Sequence, residues 1–295
     1  MKILLAVDGS RYSEEAARFL KNFNFSPDDE LIVFHVISNV PFKDDVESYY
    51  ASLKRIKQEI GSKILDSTIE ILKPINLKLS TALVDGYPDS SIVDAAIDSD
   101  VDLIVMGSRG LKGIKSIILG STARAAAVTS PKPVLVVKPL KRESKGKLKI
   151  LCAADGSDYA VNTARLLTLM PFNDAAEITA LNVISSAHID IPERYWMEVD
   201  DKIKEDVAKI RESEFAIADG ILKKTREILE KKFKKINLSI KFGDPSIEIL
   251  NLAEEIEADI ISVGSSGMRG VKGILGSVSR YVLLNADCSV LIGKL

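Results

Sequence analysis

The feature that most constrains this chain is that it repeats itself. Asp8-Gly9-Ser10 followed by Tyr12 recurs as Asp155-Gly156-Ser157 followed by Tyr159, 147 positions on, and the match continues from Ala17-Arg18 to Ala164-Arg165. Later landmarks sit further apart: Gly86 and Pro88 return as Gly243 and Pro245, and Gly107 as Gly264, each 157 positions on. The second copy therefore carries a net ten additional residues, which fall within 185–218. A chain of 295 residues written this way must fold as two similar domains, each long enough to bury its own core. We place them at 1–140 and 148–295. Between them, 141–147 (KRESKGK) is polar, basic and without periodicity, which suits an exposed linker.

Within the first copy, strand and helix patterns alternate. Residues 2–7 predict a strand ending at Asp8-Gly9-Ser10, and 13–22 a helix with Ala16, Ala17, Phe19 and Leu20 near one face. A second buried strand follows at 31–37 (LIVFHVI). Leu53, Ile56, Ile60, Ile64, Ile69 and Leu72 keep helical spacing until Pro74. Residues 77–83 alternate as a third strand, Gly86-Tyr87-Pro88 turns the chain, and 91–98 predicts a short helix. The apolar runs 101–106 (VDLIVM) and 134–137 complete the set. Short strands separated by helices predict an α/β fold: two tandem doubly wound, five-stranded parallel sheets with right-handed crossovers.

Between the last two strands lies 107–122, GSRGLKGIKSIILGST. Gly107, Gly110 and Gly113 are expected to permit positive φ, so that successive N–H groups converge on one anion. Gly120-Ser121-Thr122 opens a helix whose first amides and positive dipole end favour a phosphate. The hydroxyls of Ser121 and Thr122 suit helix capping, phosphate donation or both. The second copy runs from 260–263 (IISV) into Gly264-Ser265-Ser266-Gly267, Gly270, Gly273 and Gly276-Ser277. It differs in one respect: eight residues separate Gly267 from Gly276, where nine separate Gly110 from Gly120. One residue fewer in a helical lead-in turns the next glycine by about 100° and retracts it by about 1.5 Å, unless Gly270 and Gly273 absorb the change.

Composition and missing motifs narrow the chemistry. The apolar fraction of 46%, the charged fraction of 28% and the net charge of −2 suit a soluble globular protein without a basic footprint for nucleic acid. Cys152 and Cys288 both sit in apolar runs, as free buried thiols would, and supply no disulfide framework or thiolate metal cluster. No apolar segment reaches the roughly 18 residues of a membrane span. The opening MKILLAVDGS reads directly as strand and turn, so a cytoplasmic location is expected. His35 has Asn182 as its repeat equivalent and reads as a core or strand-end residue; His188, near Asp190 and Glu193, is a poor metal site. The sequence has no GxxxxGK[ST] loop, no Gly-x-Ser-x-Gly elbow and no Ser-Gly-Gly-x-Asp-Ser loop. No catalytic or metal-ligating residue is assigned, and slow or absent turnover of a bound triphosphate is expected.

The spacing Gly-x2-Gly-x9-Gly-Ser at Gly107, Gly110, Gly120 and Ser121, with the strand-terminal Asp8, resembles the ATP-binding class of the universal stress protein family. The chain as a whole resembles that family's tandem type. The resemblance implies Rossmann-like domains with strand order 3-2-1-4-5 and a nucleotide over the carboxyl ends of the strands. It implies that Gly107, Gly110, Gly120, Ser121 and the amide of Thr122 hold phosphates. Asp8 would face the ribose, or on its own reading cap the following helix; Val36 would present main chain to adenine, or simply pack in the core. In the second copy the same roles fall to Asp155, Val183, Gly264, Gly267, Gly276 and Ser277. The resemblance further implies pairing of the two domains through their last strands, 133–137 and 289–292, with an additional homodimer open. The function implied is a stress-response signalling module that binds ATP or AMP, with Mg²⁺ or Mn²⁺ accompanying a triphosphate. One alternative is a nucleotide-free scaffold that binds a protein through 185–218, where His188, Tyr195, Trp196 and Met197 lie. A slow ATPase is another.

Overall fold

The structure, a computed structural model, describes residues 1–38, 47–111, 119–139, 147–185, 200–267 and 275–295. The linker residues 141–146 lie outside it, as do Gly113, Gly270, Gly273, His188, Asp190, Glu193, Tyr195, Trp196 and Met197.

The first half runs β1 (Lys2–Val7), α1 (Arg11–Phe19), β2 (Glu30–Ser38), α2 (Glu47–Leu72), β3 (Lys78–Gly86), α3 (Pro88–Asp98), β4 (Leu103–Gly107), α4 (Ser121–Thr129) and β5 (Val134–Val137). The second runs β6 (Lys149–Ala153), α5 (Asp158–Leu169), β7 (Glu177–Ile184), α6 (Asp201–Leu229), β8 (Lys235–Phe242), α7 (Pro245–Glu255), β9 (Ile260–Gly264), α8 (Ser277–Asn285) and β10 (Ser289–Gly293). Helix α1 starts two residues earlier than its apolar pattern suggests because Ser10 caps it, its hydroxyl accepting from Ser13 N at 3.2 Å. It closes in a single 3-10 turn at Leu20–Asn22. Helix α3 opens on Pro88, whose fixed φ and missing N–H suit a first helical position. Sixteen residues separate β7 from α6, against eight between β2 and α2, which is where most of the additional length of the second copy falls.

The described strands form one sheet in the order β3-β2-β1-β4-β5-β10-β9-β6-β7-β8. Each half thus has the expected 3-2-1-4-5 order, parallel throughout. The halves join where β5 and β10 pair antiparallel, with Val136 opposite Val290, Leu135 opposite Leu291 and Val134 opposite Ile292. An apolar last strand would otherwise be an open edge; pairing satisfies its ladder. Two cores follow, one on each face, and both run across the join. Helices α1, α2, α5 and α6 cover one face through residues such as Phe19, Leu72, Leu167 and Leu229. Helices α3, α4, α7 and α8 cover the other through Ile92, Ala126, Leu252 and Val282.

Two lysines tie the join in a pseudo-symmetric way. Lys138, just past β5, donates from Nζ to the Ala286 carbonyl at the end of α8, and Lys294, just past β10, donates to the Ala127 carbonyl in the last turn of α4 at 2.9 Å. Each places a cation at the negative end of a helix from the other half. Phe23 and Phe172 add a further contact between halves, with ring centroids 4.9 Å apart and edge-on. Of the two cysteines, Cys152 is fully buried in β6; Cys288, which lines a cavity beside β10, is only partly so, contrary to the expectation of two buried thiols.

Candidate functional site

In each half the chain leaves the two central strands toward opposite faces, so a crevice opens beyond their carboxyl ends. In the first half this crevice is a cleft of about 650 Å³. It brings together all seven first-half residues singled out by sequence: Asp8, Val36, Gly107, Gly110, Gly120, Ser121 and Thr122. Its lining is apolar at Phe34, Val36, Ile60 and Ile92 and offers main-chain polar groups along the glycine loop and the start of α4.

Gly120 itself is the N-cap of α4, at φ −72° and ψ 153°, with no side-chain hydrogen bond across the helix end. Its amide is taken by the Ser108 carbonyl at 2.7 Å. The first-turn amides of Ser121, Thr122 and Ala123 therefore face the cleft region without a side-chain cap, the arrangement that suits an anion. Ser121 and Thr122 occupy the first two helical positions, so the capping role considered for their hydroxyls is not used.

The glycines are required for room, not for left-handed backbone. Positive φ occurs at Gly9 (75°), Gly156 (82°) and Gly243 (144°), and not at Gly107 or Gly110, which corrects the expectation of a left-handed nest there. A Cβ at Gly107 would stand 2.6 Å from the Tyr12 carbonyl carbon and oxygen, and one at Gly110 2.6 Å from Asp8 Oδ2. Gly107 lets the start of α1 lie directly on β4, and Gly110 lets the loop close over Asp8. Asp8 is the hub of this closure: Oδ1 accepts from Ser10 N at 3.0 Å and Oδ2 from Leu111 N at 3.1 Å. It is not the helix cap, a role that belongs to Ser10.

Val36 lies one residue beyond the last partner of β1 on β2, the Val7–His35 pair, where the strand overhangs the cleft. His35 holds that overhang. Its Nδ1 lies 2.7 Å from the Val7 carbonyl, and a carbonyl only accepts, so the Nδ1–H form is assigned. Asn182 does the same in the second half, donating to the Ala154 carbonyl at 2.6 Å. The position needs a donor of that reach, and imidazole and amide both supply one.

Two cleft residues escaped the sequence reading. Lys57 lines the cleft from α2 and donates to the Ser38 carbonyl at 3.0 Å. Arg109 lines it from the glycine loop, its guanidinium 5.3 Å over the Tyr12 ring and Nη1 donating to the Tyr12 hydroxyl at 2.9 Å. A signal existed for each: Lys57 is two helical turns before Ile64 on the same stripe, and Arg109 stands immediately before Gly110.

The second half repeats the arrangement. Asp155 Oδ1 accepts from Ser157 N at 3.0 Å and Ser157 Oγ at 2.6 Å, and a Cβ at Gly267 would stand 2.8 Å from Asp155 Oδ2. A Cβ at Gly264 would meet Tyr159 Cβ at 2.8 Å. Gly276 caps α8 at φ −60° and ψ 158°, again with no side-chain cap, and its amide meets the Ser265 carbonyl at 2.8 Å. Ser277 is the first helical residue, and Val183 occupies the place of Val36 on β7. Gly276 therefore keeps the cap geometry and main-chain partner of Gly120 despite the shorter loop before it.

Residues 1–138 and 148–294 each match the universal stress protein family. The chain belongs to the universal stress protein family. A universal stress protein of Mycolicibacterium smegmatis is 22% identical over 98% of this chain and 96% of its own length. One from Methanocaldococcus jannaschii is 33% identical over 143 residues, 48% of this chain and 84% of its own length. Among solved structures, a universal stress protein from Archaeoglobus fulgidus has a TM-score of 0.67 at 22% identity, covering 99% of this chain and 96% of that one. This last similarity extends the tandem α/β architecture to the full length of the chain.

Proposed function

We propose that the first-half cleft binds an adenine nucleotide, ATP or AMP, and that occupancy rather than turnover is what this universal stress protein signals. One observation carries the reading: the uncapped start of α4 opens into a cleft that apolar side chains also line. A flat base suits the Phe34–Val36 wall, and a phosphate tail suits the amides of Ser121 and Thr122. The volume of about 650 Å³ is in the range of small-molecule sites. Gly107 and Gly110 contribute by shaping the loop, and Asp8 by holding it at the ribose end.

The absence of turnover is supported by how the proton-accepting side chains of the cleft wall are held. Asp8 receives two main-chain amides and His35 is bonded to Val7. A divalent ion accompanying a triphosphate would take oxygens from the phosphates and water. The equivalent residues of the second half, Asp155, Val183, Gly264, Gly267, Gly276 and Ser277, offer a second cleft of the same main-chain design. The domain limits 1–140 and 148–295 belong to the same proposal. Among the described residues no helix is long and apolar enough to cross a membrane.

Mass spectrometry of ligand released from freshly purified protein, with calorimetry against ATP, AMP and GTP, tests the reading. ATP or AMP recovered in near-integral amount is expected. No retained ligand and no heat at millimolar adenine nucleotide would sink it, and steady ADP release above a protein-free control would sink the claim on turnover. A protein-binding scaffold is the second reading, favoured by Ile203, Ile210 and Ile217, which stand 52%, 51% and 62% exposed at seven-residue intervals on α6.

A further inference from the structure

A second cavity, of about 490 Å³, lies at the join of the two halves, where the ends of α7 and α8 meet the starts of β9 and β10. The repeat explains why there is room. Bonds from Ser108 N to the Val137 carbonyl and from Ser265 N to the Gly293 carbonyl fix the equivalence of β5 and β10. Lys132 and Cys288, each five residues before that carbonyl, therefore correspond. Asp100 and Glu257 also correspond, each two residues past its helix and each at positive φ (46° and 52°). In the first half the Lys132 ammonium spans to Asp100 at 2.5 Å. A cysteine cannot make that reach, and Glu257 pairs instead with Lys149 at 3.4 Å.

The lining of the cavity is graded in charge. Its buried part holds one cation, Lys138 (6% exposed), beside the apolar Ala253, Ala258 and Ile261. Asp259 is buried there too, with Oδ2 accepting from Lys149 N at 2.8 Å. Its exposed part holds the carboxylates of Glu254, Glu257 and Asp287. An ammonium has three donors, and among the described residues that of Lys138 has one acceptor, the Ala286 carbonyl. A buried polar group with unspent donors marks a place where a ligand or water completes the bonding. Burial lowers Lys138 to about 8, with Cys288 and Asp287 favouring its charge and Arg109 opposing it, so it is a cation at pH 7.

We propose that this cavity binds a small zwitterion, an aliphatic α-amino acid, with its carboxylate on Lys138, its ammonium toward Glu254 and Asp287, and its side chain against Leu250, Ala253 and Ile261. The carboxylate supplies the acceptors that Lys138 lacks. A simple anion would meet the carboxylates uncompensated, and a simple cation would meet Lys138; a molecule carrying both charges suits both ends. The inference is independent of the nucleotide reading above.

Calorimetry at pH 7 on the full chain, with leucine, leucinamide and N-acetylleucine, tests it. One leucine per chain is expected, with leucinamide and N-acetylleucine each at least about tenfold weaker, since each loses one charge-assisted contact. Lys138→Met should remove leucine binding. Because that change also loosens the join, Glu254→Lys, at an exposed position, serves as the second variant: it should weaken leucine about tenfold while leaving the thermal midpoint of the unliganded protein unchanged. Cys288 lines the cavity, so saturating leucine should also slow its alkylation by iodoacetamide, read by mass spectrometry. No heat with leucine at about 10 mM, equal affinity for leucine and leucinamide, or unchanged leucine affinity in Glu254→Lys would overturn the proposal. Unaltered alkylation of Cys288 under saturating leucine would overturn the placement in this cavity.

Discussion

Gly107 and Gly120 belong to the same motif, yet the structure gives them unequal sensitivities to one added methyl. A Cβ at Gly107 would stand 2.6 Å from the Tyr12 carbonyl group and 2.9 Å from Ser13 N. These are main-chain atoms in the first turn of α1, which Ser10 caps and Ala16, Ala17 and Phe19 anchor in the core. To accommodate Gly107→Ala, α1 and β4 must part by most of an ångström, an overpacking cost of about 1–3 kcal/mol. A Cβ at Gly120 would rest 3.4 Å from Arg109 Cα and 3.5 Å from the Ser108 carbonyl, and its φ of −72° suits any L residue. Gly120→Ala adds no clash and should cost only about 0.5–1 kcal/mol, the difference between alanine and glycine as N-cap residues. Urea unfolding followed by circular dichroism reads the difference. With a slope near 3 kcal/mol per M, Gly107→Ala should lower the midpoint by roughly 0.3–1 M and Gly120→Ala by no more than about 0.3 M. The packing argument fails if Gly107→Ala unfolds with the wild type, or if Gly120→Ala proves the more damaging of the two.

Burial pushes Lys138 and Lys294 down from the usual 10.5 to about 8. The unfolded chain binds more protons than the folded one between those values, so stability should rise with pH. Cys152, pushed up from 9.0 to about 11 by burial, opposes this above pH 9, so the rise should be clearest from pH 8 to 9 and vanish in Lys138→Met with Lys294→Met, as thermal midpoints would record. His35→Asn should cost less than about 1 kcal/mol because Asn182 already fills that role, whereas His35→Leu strands the Val7 carbonyl and should cost about 1–3 kcal/mol in the same unfolding assay. At pH 8, a thiol reagent should modify Cys288 promptly and Cys152 only on unfolding, giving one fast thiol per chain in a colorimetric titration.

The architecture was legible because repetition and buried strands leave strong marks. Strands such as 2–7 and 134–137 are apolar on both faces, and nothing but a parallel, covered sheet accommodates them. The site was legible in its residues but less so in their reasons. Sequence suggested that Gly107 and Gly110 bend the chain; what they permit is close approach to Tyr12 and Asp8, a long-range contact with no local signature. Asp8 could be read as a cap or a ligand group, yet it spans from β1 to Leu111, more than a hundred residues away in sequence. The effect of the one-residue deletion in the second loop was likewise illegible, because helical arithmetic assumes a rigid lead-in, and Gly276 is instead fixed by its bond to Ser265. Lys57 and Arg109 were overlooked because exposed cations on helices and loops are common and only the cleft singles them out.

The antiparallel join of β5 to β10 has a geometric consequence for any protein that reads this one. Reversing one half against the other sends the strand ends of the two halves to opposite poles of a common slab. The crevices, between β1 and β4 and between β9 and β6, are then only about four strand spacings apart sideways, roughly 19 Å, but they open in contrary directions. A compact reader docked at one pole sees a single mouth, and news of the other can reach it only through the slab itself.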